Sequence, residues 1–370
     1  MIVSRPKALL ATFVALLLAG CAATELPFVV YPLPPDTPRV QWLGTYASPD
    51  DFPKSGFQVF WEGVGGKPQL ATFKSPFGIV ADSRGLIYVA DPLAGSLLVY
   101  DLEKKEVNNY SDRSYFSQPF GVAVDGADNL YVVDGKKKQV FVFNAERQPL
   151  SVIGGPADFK GPAFVKVDDV RDRVYVSDAL GNKIVVFSRE GKKLFEIGPK
   201  ITETDSLYNP QGMAIDKDGN LFVAEMLRAR ISVLSPAGEL LRSFGVRGDA
   251  AYEFEAPKDL AFDSDGNLWV ADNRRTEIYT YTPAGELLLA TGSGSRLNTG
   301  PLSFSSPTSI SIDAQDRVLV TDRLNRRFMV WQYRSAAYAA AHPLAAEELA
   351  ALEKMRQQRE EQRMPSSAKP

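Results

Sequence analysis

Six acidic residues recur at regular spacing, each at the end of an apolar run that alternates like a β-strand. They are Asp91, Asp134, Asp178, Glu225, Asp272 and Asp322. Carboxylates that converge on one point can hold a hard cation such as Ca²⁺ and support metal-dependent hydrolysis. A carboxylate at a strand end can instead accept backbone N–H bonds from the turn that follows it. The sequence favours this structural role and leaves the metal site as the alternative.

The chain has one histidine and one cysteine, which limits the catalytic and metal sites that it can form. His342 is the only histidine and lies outside the regularly spaced region, and Cys21 is the only cysteine. A Ser–His–acid triad within that region and a zinc site built from His or Cys ligands are therefore excluded. An intramolecular disulfide is excluded as well. No cofactor is expected.

Basic residues are concentrated in the segments that directly follow the six acids. They are Lys136, Lys137, Lys138, Lys183, Arg228, Arg230, Arg274, Arg275, Arg323, Arg326 and Arg327. The formal net charge of the chain is −3, so this distribution is asymmetric. Clustered Arg and Lys favour carboxylate or phosphate ligands, and we expect the loop face that they form to bind a protein or another anionic partner. The alternative is that these charges pair with acids of the same chain.

The elements that must position these residues are repeated. A proline precedes an apolar alternating run every 43 to 50 residues, at Pro76, Pro119, Pro162, Pro210, Pro257 and Pro307. An Asp follows each proline after six residues, and the strand-end acid follows it after 15 or 16. An aromatic residue or Leu stands nine residues beyond each acid. Self-similarity at such a period indicates a repeat architecture.

Each repeat has the pattern of short antiparallel strands. Residues 120–125, 129–134 and 139–143 alternate with the period of pleated strands. Turn clusters around Gly219 and Gly266 tolerate the positive φ of tight hairpins. A fourth apolar run follows in most repeats. Six such units predict an all-β, six-bladed β-propeller of four-stranded antiparallel blades, because radial stacking covers the faces that one sheet leaves open.

The sixth repeat lacks a fourth strand of its own. After residues 327–331 the chain continues without one, whereas VQWLG at 40–44 matches the pattern of the missing strand and its closing glycine. We therefore expect residues 40–43 to supply the outermost strand of the sixth blade and to close the ring. The alternative is that Trp42 only packs against a neighbouring loop.

The repeat motif resembles the NHL-repeat family of six-bladed propellers. PFGVAVD (119–125), PQGMAID (210–216) and GNLFVAE (219–225) carry the resemblance, which covers residues 70–333, while the copies that begin at Pro162 and Pro307 depart from it. The resemblance implies the fold more strongly than a function. RNA-binding members of the family use a basic face. Among related enzymes, the peptide-amidating lyase needs His ligands that this chain lacks, and gluconolactonase-like propellers use carboxylate and Asn metal sites.

The N-terminal segment predicts export and lipid anchoring. Residues 1–20 combine Arg5 and Lys7 with an apolar run, as a lipoprotein signal peptide does. Residues 18–21, LAGC, resemble the bacterial lipobox, in which Cys21 would carry the acyl chains. The Ala at position 22 favours the outer membrane, facing the periplasm. Residues 21–39 then read as a Pro-rich tether, 40–334 as the propeller and 335–370 as a helical or disordered tail, with Pro343 suited to the first turn of a helix.

Two functions of different classes agree with these features. The first is a membrane-anchored periplasmic binding or scaffolding protein, a monomer or part of an envelope complex, that uses its basic loop face. The export signal argues against nucleic acid as its physiological partner. The second is a metal-dependent hydrolase or lyase with a carboxylate site at the channel mouth. The lack of a general-base His favours the first function.

Overall fold

The computed structural model describes residues 28–52, 72–110, 115–198, 206–250, 253–292 and 300–363. The predicted signal peptide and Cys21 lie outside these residues. The N-terminal end of the described chain forms two strands, β1 (Val30–Tyr31) and β2 (Val40–Tyr46), and a 3-10 helix (Pro49–Asp51) follows. Among the described helices, none is long and apolar enough to cross a membrane.

Five four-stranded antiparallel blades come next. The first two are formed by β3 (Ile79–Ala81), β4 (Leu86–Asp91), β5 (Ser96–Asp101), β6 (Glu106–Asn109), β7 (Pro119–Val124), β8 (Leu130–Asp134), β9 (Gln139–Phe143) and β10 (Pro149–Ile153). The third and fourth are formed by β11 (Pro162–Asp168), β12 (Arg173–Asp178), β13 (Lys183–Ser188), β14 (Lys193–Ile197), β15 (Pro210–Ile215), β16 (Leu221–Glu225), β17 (Arg230–Leu234) and β18 (Leu240–Phe244). The fifth is formed by β19 (Pro257–Phe262), β20 (Leu268–Asp272), β21 (Glu277–Tyr281) and β22 (Leu287–Thr291).

The sixth blade joins the two ends of the described chain. It contains β23 (Pro307–Ile312), β24 (Arg317–Asp322) and β25 (Arg327–Tyr333), and its sheet order is β1-β2-β25-β24-β23. The first strand of every blade contacts the first strands of both neighbours, so that β3, β7, β11, β15, β19 and β23 form a closed inner ring. The predicted six-bladed all-β propeller is confirmed.

Closure depends on the pairing of β2 with β25. Val40 lies opposite Tyr333, and Tyr46 lies opposite Phe328. Val40 is only 1% exposed and belongs to the same apolar cluster as Trp331. The strand expected at residues 40–43 is therefore present and extends to Tyr46, with an irregularity between Trp42 and Gly44. The expectation that it is the outermost strand of the blade is wrong, because β1 pairs with its outer edge.

The Pro-rich segment is more ordered than a tether over residues 21–39 implies. Val30 and Tyr31 pair with β2, Val30 is buried, and the Arg39 N–H donates to the Tyr31 carbonyl over 2.9 Å. The free edge of β2 offers backbone donors and acceptors that a short adjacent segment can satisfy. Val30 and Tyr31, which fall within the predicted tether, thus pack on the sixth blade.

One apolar cluster lies between each pair of neighbouring blades in the described part of the chain. Tyr131 and Phe187, for example, join the second and third blades, and Leu130 and Tyr88 join the first and second. These side chains come from alternating positions on the middle strands, which are covered on both faces by the blades beside them. Radial stacking therefore supplies the core that a single blade lacks.

Two helices follow the propeller. They are α1 (Ala336–Ala341), which is N-capped by Ser335, and α2 (Ala346–Arg363). The expectation that Pro343 begins the second helix is wrong, because this helix starts three residues later, where Glu348 accepts the N–H of Ala345. Leu352 is fully buried, whereas Leu349 is largely exposed, so the helix is docked along a narrow apolar stripe.

Replacing Val40 with Asp tests the closure of the ring. The change places an unpaired carboxylate against Trp331 and should lower the free energy of unfolding by about 3 kcal/mol or more. Val152→Asp is the matched control, because Val152 is half exposed on the outermost strand of the second blade and should cost less than about 1 kcal/mol. Denaturant unfolding followed by tryptophan fluorescence measures both. Equal losses in the two variants would contradict the closure.

Candidate functional site

The strand-end acids bind backbone N–H groups on two segments at once. Asp134 accepts from Ser117 and Gln118, which precede the first strand of its blade, over 2.6 and 3.1 Å. Its other oxygen accepts from Lys136 and Lys137, in the loop that follows, over 3.0 and 2.9 Å. One buried carboxylate therefore ties the interblade connection to the loop between the second and third strands.

The bonds to the preceding connection recur in the other blades, and the bonds to the following loop recur at Asp91, Asp178 and Asp272. Asp272 accepts N–H bonds from Glu255, Ala256, Arg274 and Arg275. Burial raises the pKa of Asp272, and this effect is larger than the lowering by the N–H donors. Equivalent bonds to the preceding connection are made by the acids at 91, 178, 225 and 322. All six side chains are buried.

These contacts leave little capacity for a cation. The carboxylate oxygens accept the hydrogen bonds just described, and no group of three or more His, Cys, Asp or Glu within the described ranges is arranged to hold a metal ion. The geometry therefore supports the structural interpretation of the strand-end acids over the metal-site alternative.

The predicted basic residues divide into two groups. The first group is ion-paired, as the alternative interpretation expects: Lys183 to Glu196, Arg228 and Arg230 to Glu225, Arg274 to Glu255, Arg275 to Glu277, and Arg327 to Asp322. Lys137 donates to the carbonyl of Tyr115. In the part of the chain that the structure describes, Lys136, Lys138, Arg323 and Arg326 form no ion pair. These four are the cations of the loop face that are available to a partner.

The channel mouth carries a further cation that the sequence analysis missed. Lys258 is the second residue of β19, on the same face as the basic loops. Its Nζ donates to Oε1 of Gln211 over 2.7 Å and lies 5.4 Å from the centre of the Phe77 ring. Burial, followed by repulsion from Arg323, lowers the pKa of Lys258 to about 8. No carboxylate among the described residues forms an ion pair with Lys258.

The channel itself encloses a polar group. A cavity of about 220 Å³ is lined by the inner strands and contains Lys166, Asp259 and Ser309. The Ser309 hydroxyl donates to Asp259 over 2.6 Å, and the N–H groups of Ile310 and Leu260 also donate to this carboxylate. Desolvation raises the pKa of Asp259 to about 6 and lowers that of Lys166.

Departures from the repeat motif could have revealed these residues. Asp259 and Ser309 stand where Gly78, Gly121 and Gly212 stand in other copies. A Cβ on Gly212 would lie 1.8 Å from the Asp259 carboxylate, which shows how closely neighbouring inner strands approach there. The adjacent strands β19 and β23 both carry a side chain at this position, and Ser309 and Asp259 form a hydrogen bond there.

Comparison with known proteins agrees with the fold. The model of the SMP-30/gluconolactonase/LRE-like region matches residues 165–252, which correspond to the third and fourth blades. A gluconolactonase structure from Xanthomonas campestris is similar, at 15% identity and a TM-score of 0.55, over 83% of this chain and 97% of that one. A virginiamycin B lyase from Staphylococcus aureus is similar at 14% identity and a TM-score of 0.51, over 67% and 78%.

A protein of unknown function from Bacteroides thetaiotaomicron reaches a TM-score of 0.56 at 16% identity, over 71% of this chain and 70% of that one. No curated protein sequence gives a match. At these identities the similar structures define the class by fold alone. The chain is a six-bladed β-propeller with local similarity to the SMP-30/gluconolactonase/LRE-like region.

Replacing Asp134 with Ala tests the structural role of the strand-end acids. Four backbone N–H groups would lose their acceptor, so the free energy of unfolding should fall by about 3 kcal/mol. Glu190→Ala, in an exposed turn of the third blade, should change it by less than about 0.5 kcal/mol. Chemical denaturation measures both variants. An unchanged stability of the Asp134 variant would contradict the structural role.

Proposed function

We propose that the chain is a membrane-anchored binding or scaffolding lipoprotein of the NHL-repeat type, facing the periplasm, that holds an anionic partner on its loop face. Acylation of Cys21 would supply the anchor, and the outer membrane is the proposed location. The partner is a protein or another anionic polymer. The protein would work as a monomer or within an envelope complex, without a cofactor.

The uncompensated charge around the channel mouth carries this proposal. Lys258 and Arg323 are close enough for repulsion to lower the pKa of the lysine, and the exposed cations Lys136 and Arg326 lie on the same face. Like charges kept together at a partly desolvated position cost folding free energy unless a ligand offsets them. An anionic group placed at the mouth would remove this cost.

A hydrolase or lyase is the second candidate. The similarity to gluconolactonase and lyase structures favours it, and so does the channel cavity with Lys166, Asp259 and Ser309. A metal-dependent version would need several free carboxylates or amides around one point. The strand-end acids do not meet this need, because backbone donors occupy them. The binding function is therefore preferred, because it gives the unpaired cations of the loop face a role.

Charge reversal of the free cations tests the partner face. The triple variant Lys136→Glu, Arg323→Glu and Arg326→Glu should reduce the amount of any partner that co-purifies with the lipidated protein from its native membrane by tenfold or more, on the order expected when several charge pairs become repulsive. The control variant is Lys104→Glu, Lys105→Glu and Lys192→Glu, at turns on the opposite face, and should leave recovery unchanged. Quantitative mass spectrometry measures both. Equal recovery with the two variants would reject the proposal.

The lowered pKa of Lys258 predicts a pH dependence. Its free-state pKa is about 8, so the ammonium is charged at pH 7 and loses its proton as the pH rises toward 9. Affinity for a polyglutamate probe should fall by about tenfold over this interval, the worth of one charged contact. Lys258→Arg keeps the charge and should bind with little pH dependence. Fluorescence anisotropy measures the binding, and identical pH profiles for the two proteins would contradict the role of Lys258.

A further inference from the structure

Four of the six loops that follow the strand-end acids expose a leucine at the same position. Two residues after the acid stand Leu93, Leu180, Leu227 and Leu324, which are 69%, 69%, 60% and 57% exposed. The two remaining loops place cations there, Lys136 and Arg274. We call these six side chains the tip ring. Because each stands at the equivalent place in its blade, the six tips lie around one face of the propeller.

Hydrogen bonds to the strand-end acids position the backbone of three residues of the tip ring. The N–H groups of Leu93, Lys136 and Arg274 each donate to the carboxylate two residues earlier. This bond holds the backbone of the loop against the blade, and the side chain points away from it. Of the four leucines, Leu93 is held in this way. The exposure of leucine at the equivalent position in four blades indicates an interaction surface.

Other exposed residues give the same face an amphipathic character. Tyr115, Tyr208 and Val246 lie on the interblade connections of this face and are exposed. Arg323 and Arg326 flank Leu324 within its loop and are also exposed. Isolated apolar tips interleaved with cations differ from the contiguous apolar core of a protein–protein interface. They fit a fluid layer that has anionic groups at its surface and hydrocarbon beneath.

The path of the N-terminal strands brings the beginning of the described chain toward this face. β2 runs toward the tip ring, since Tyr46 lies beside Phe328 at the beginning of β25, just after the Leu324 loop. β1 is antiparallel to β2, and the Trp42 N–H donates to the Val29 carbonyl. Traced backwards from Tyr31 to Phe28, the chain therefore approaches the tip ring. The seven residue-to-residue steps from Cys21 to Phe28 can span at most about 25 Å.

We propose that the tip ring docks on an anionic phospholipid bilayer, with the four leucines in the boundary between headgroups and acyl chains and with Lys136, Arg323 and Arg326 against lipid phosphates. The inference goes beyond the proposed function, because it names lipid phosphate as a further anionic group for the same face, and it rests on that function only for the anchor at acylated Cys21. Docking would orient the disc with its channel mouth toward the membrane surface.

Site-specific fluorescence on the full-length lipidated chain tests the docking. Because Cys21 is the only cysteine and would be acylated, a cysteine introduced elsewhere is the single free thiol. Leu93→Cys and Leu324→Cys place an environment-sensitive dye on the tip ring. Val170→Cys places it on the opposite face, where Val170 is 89% exposed. The three labelled proteins are reconstituted into vesicles of phosphatidylcholine and phosphatidylglycerol that contain a brominated-chain lipid.

The expected result is a blue shift and loss of emission at both tip positions and neither effect at Val170. Without phosphatidylglycerol the quenching at the tip positions should be weaker. The ratio of docked to undocked protein should fall by about fivefold for each cation that lies at the membrane surface. Equal emission at all three positions in anionic vesicles would overturn the inference.

If the tips are shielded only when the co-purifying protein partner is added, membrane docking is also wrong, although the proposed binding function stands. If the tips are quenched but charge reversal leaves partner recovery unchanged, docking is supported and the partner proposal fails alone.

Discussion

The hydrogen bonds of a buried carboxylate at the end of the second strand organise one whole face of this propeller. In each blade the acid accepts N–H groups from the connection that enters the blade and, in most blades, from the loop that leaves the strand. Neither segment has a ladder partner for these groups. A buried donor without an acceptor costs roughly 1–3 kcal/mol, so the acid determines both loop positions together. These hydrogen bonds consequently fix the loop backbone that carries exposed side chains on this face.

The repeat and its closure were predictable because they depend on local chemistry. The Asp after each inner strand and the acid at the end of each second strand accept backbone N–H groups that recur in every blade. Residues 40–44 could be assigned to the sixth blade because one strand was missing there. The pairing of Val30 and Tyr31 was not predictable, since it depends on an unpaired edge of β2 and not on any periodicity of the Pro-rich segment. The beginning of the second helix was missed for a similar reason, because Glu348, not Pro343, satisfies its first free N–H.

The candidate site was harder to predict than the fold. Sequence position identified the basic loops, but ion pairs such as Arg230 with Glu225 depend on which side chains meet in space. Lys258 was overlooked because it stands inside an inner strand, where the motif permits almost any residue. The exposed leucines were overlooked because a leucine in a short loop gives no sign of its exposure. Each omission concerns a side chain whose role depends on its neighbours across blades.

The channel cavity and the loop face differ in character as ligand sites. The channel cavity is small and its carboxylate is already bonded to Ser309, Ile310 and Leu260. The loop face is broad and combines uncompensated cations with exposed leucines. Hydroxyl-radical footprinting of the protein in its native membrane and in detergent tests the importance of this face most directly, whether its partner is lipid or protein. The account predicts that Leu93, Leu180, Leu227 and Leu324 react less in the membrane than in detergent, while Val170 reacts equally in both. Equal reactivity of the four leucines in the two states would contradict it.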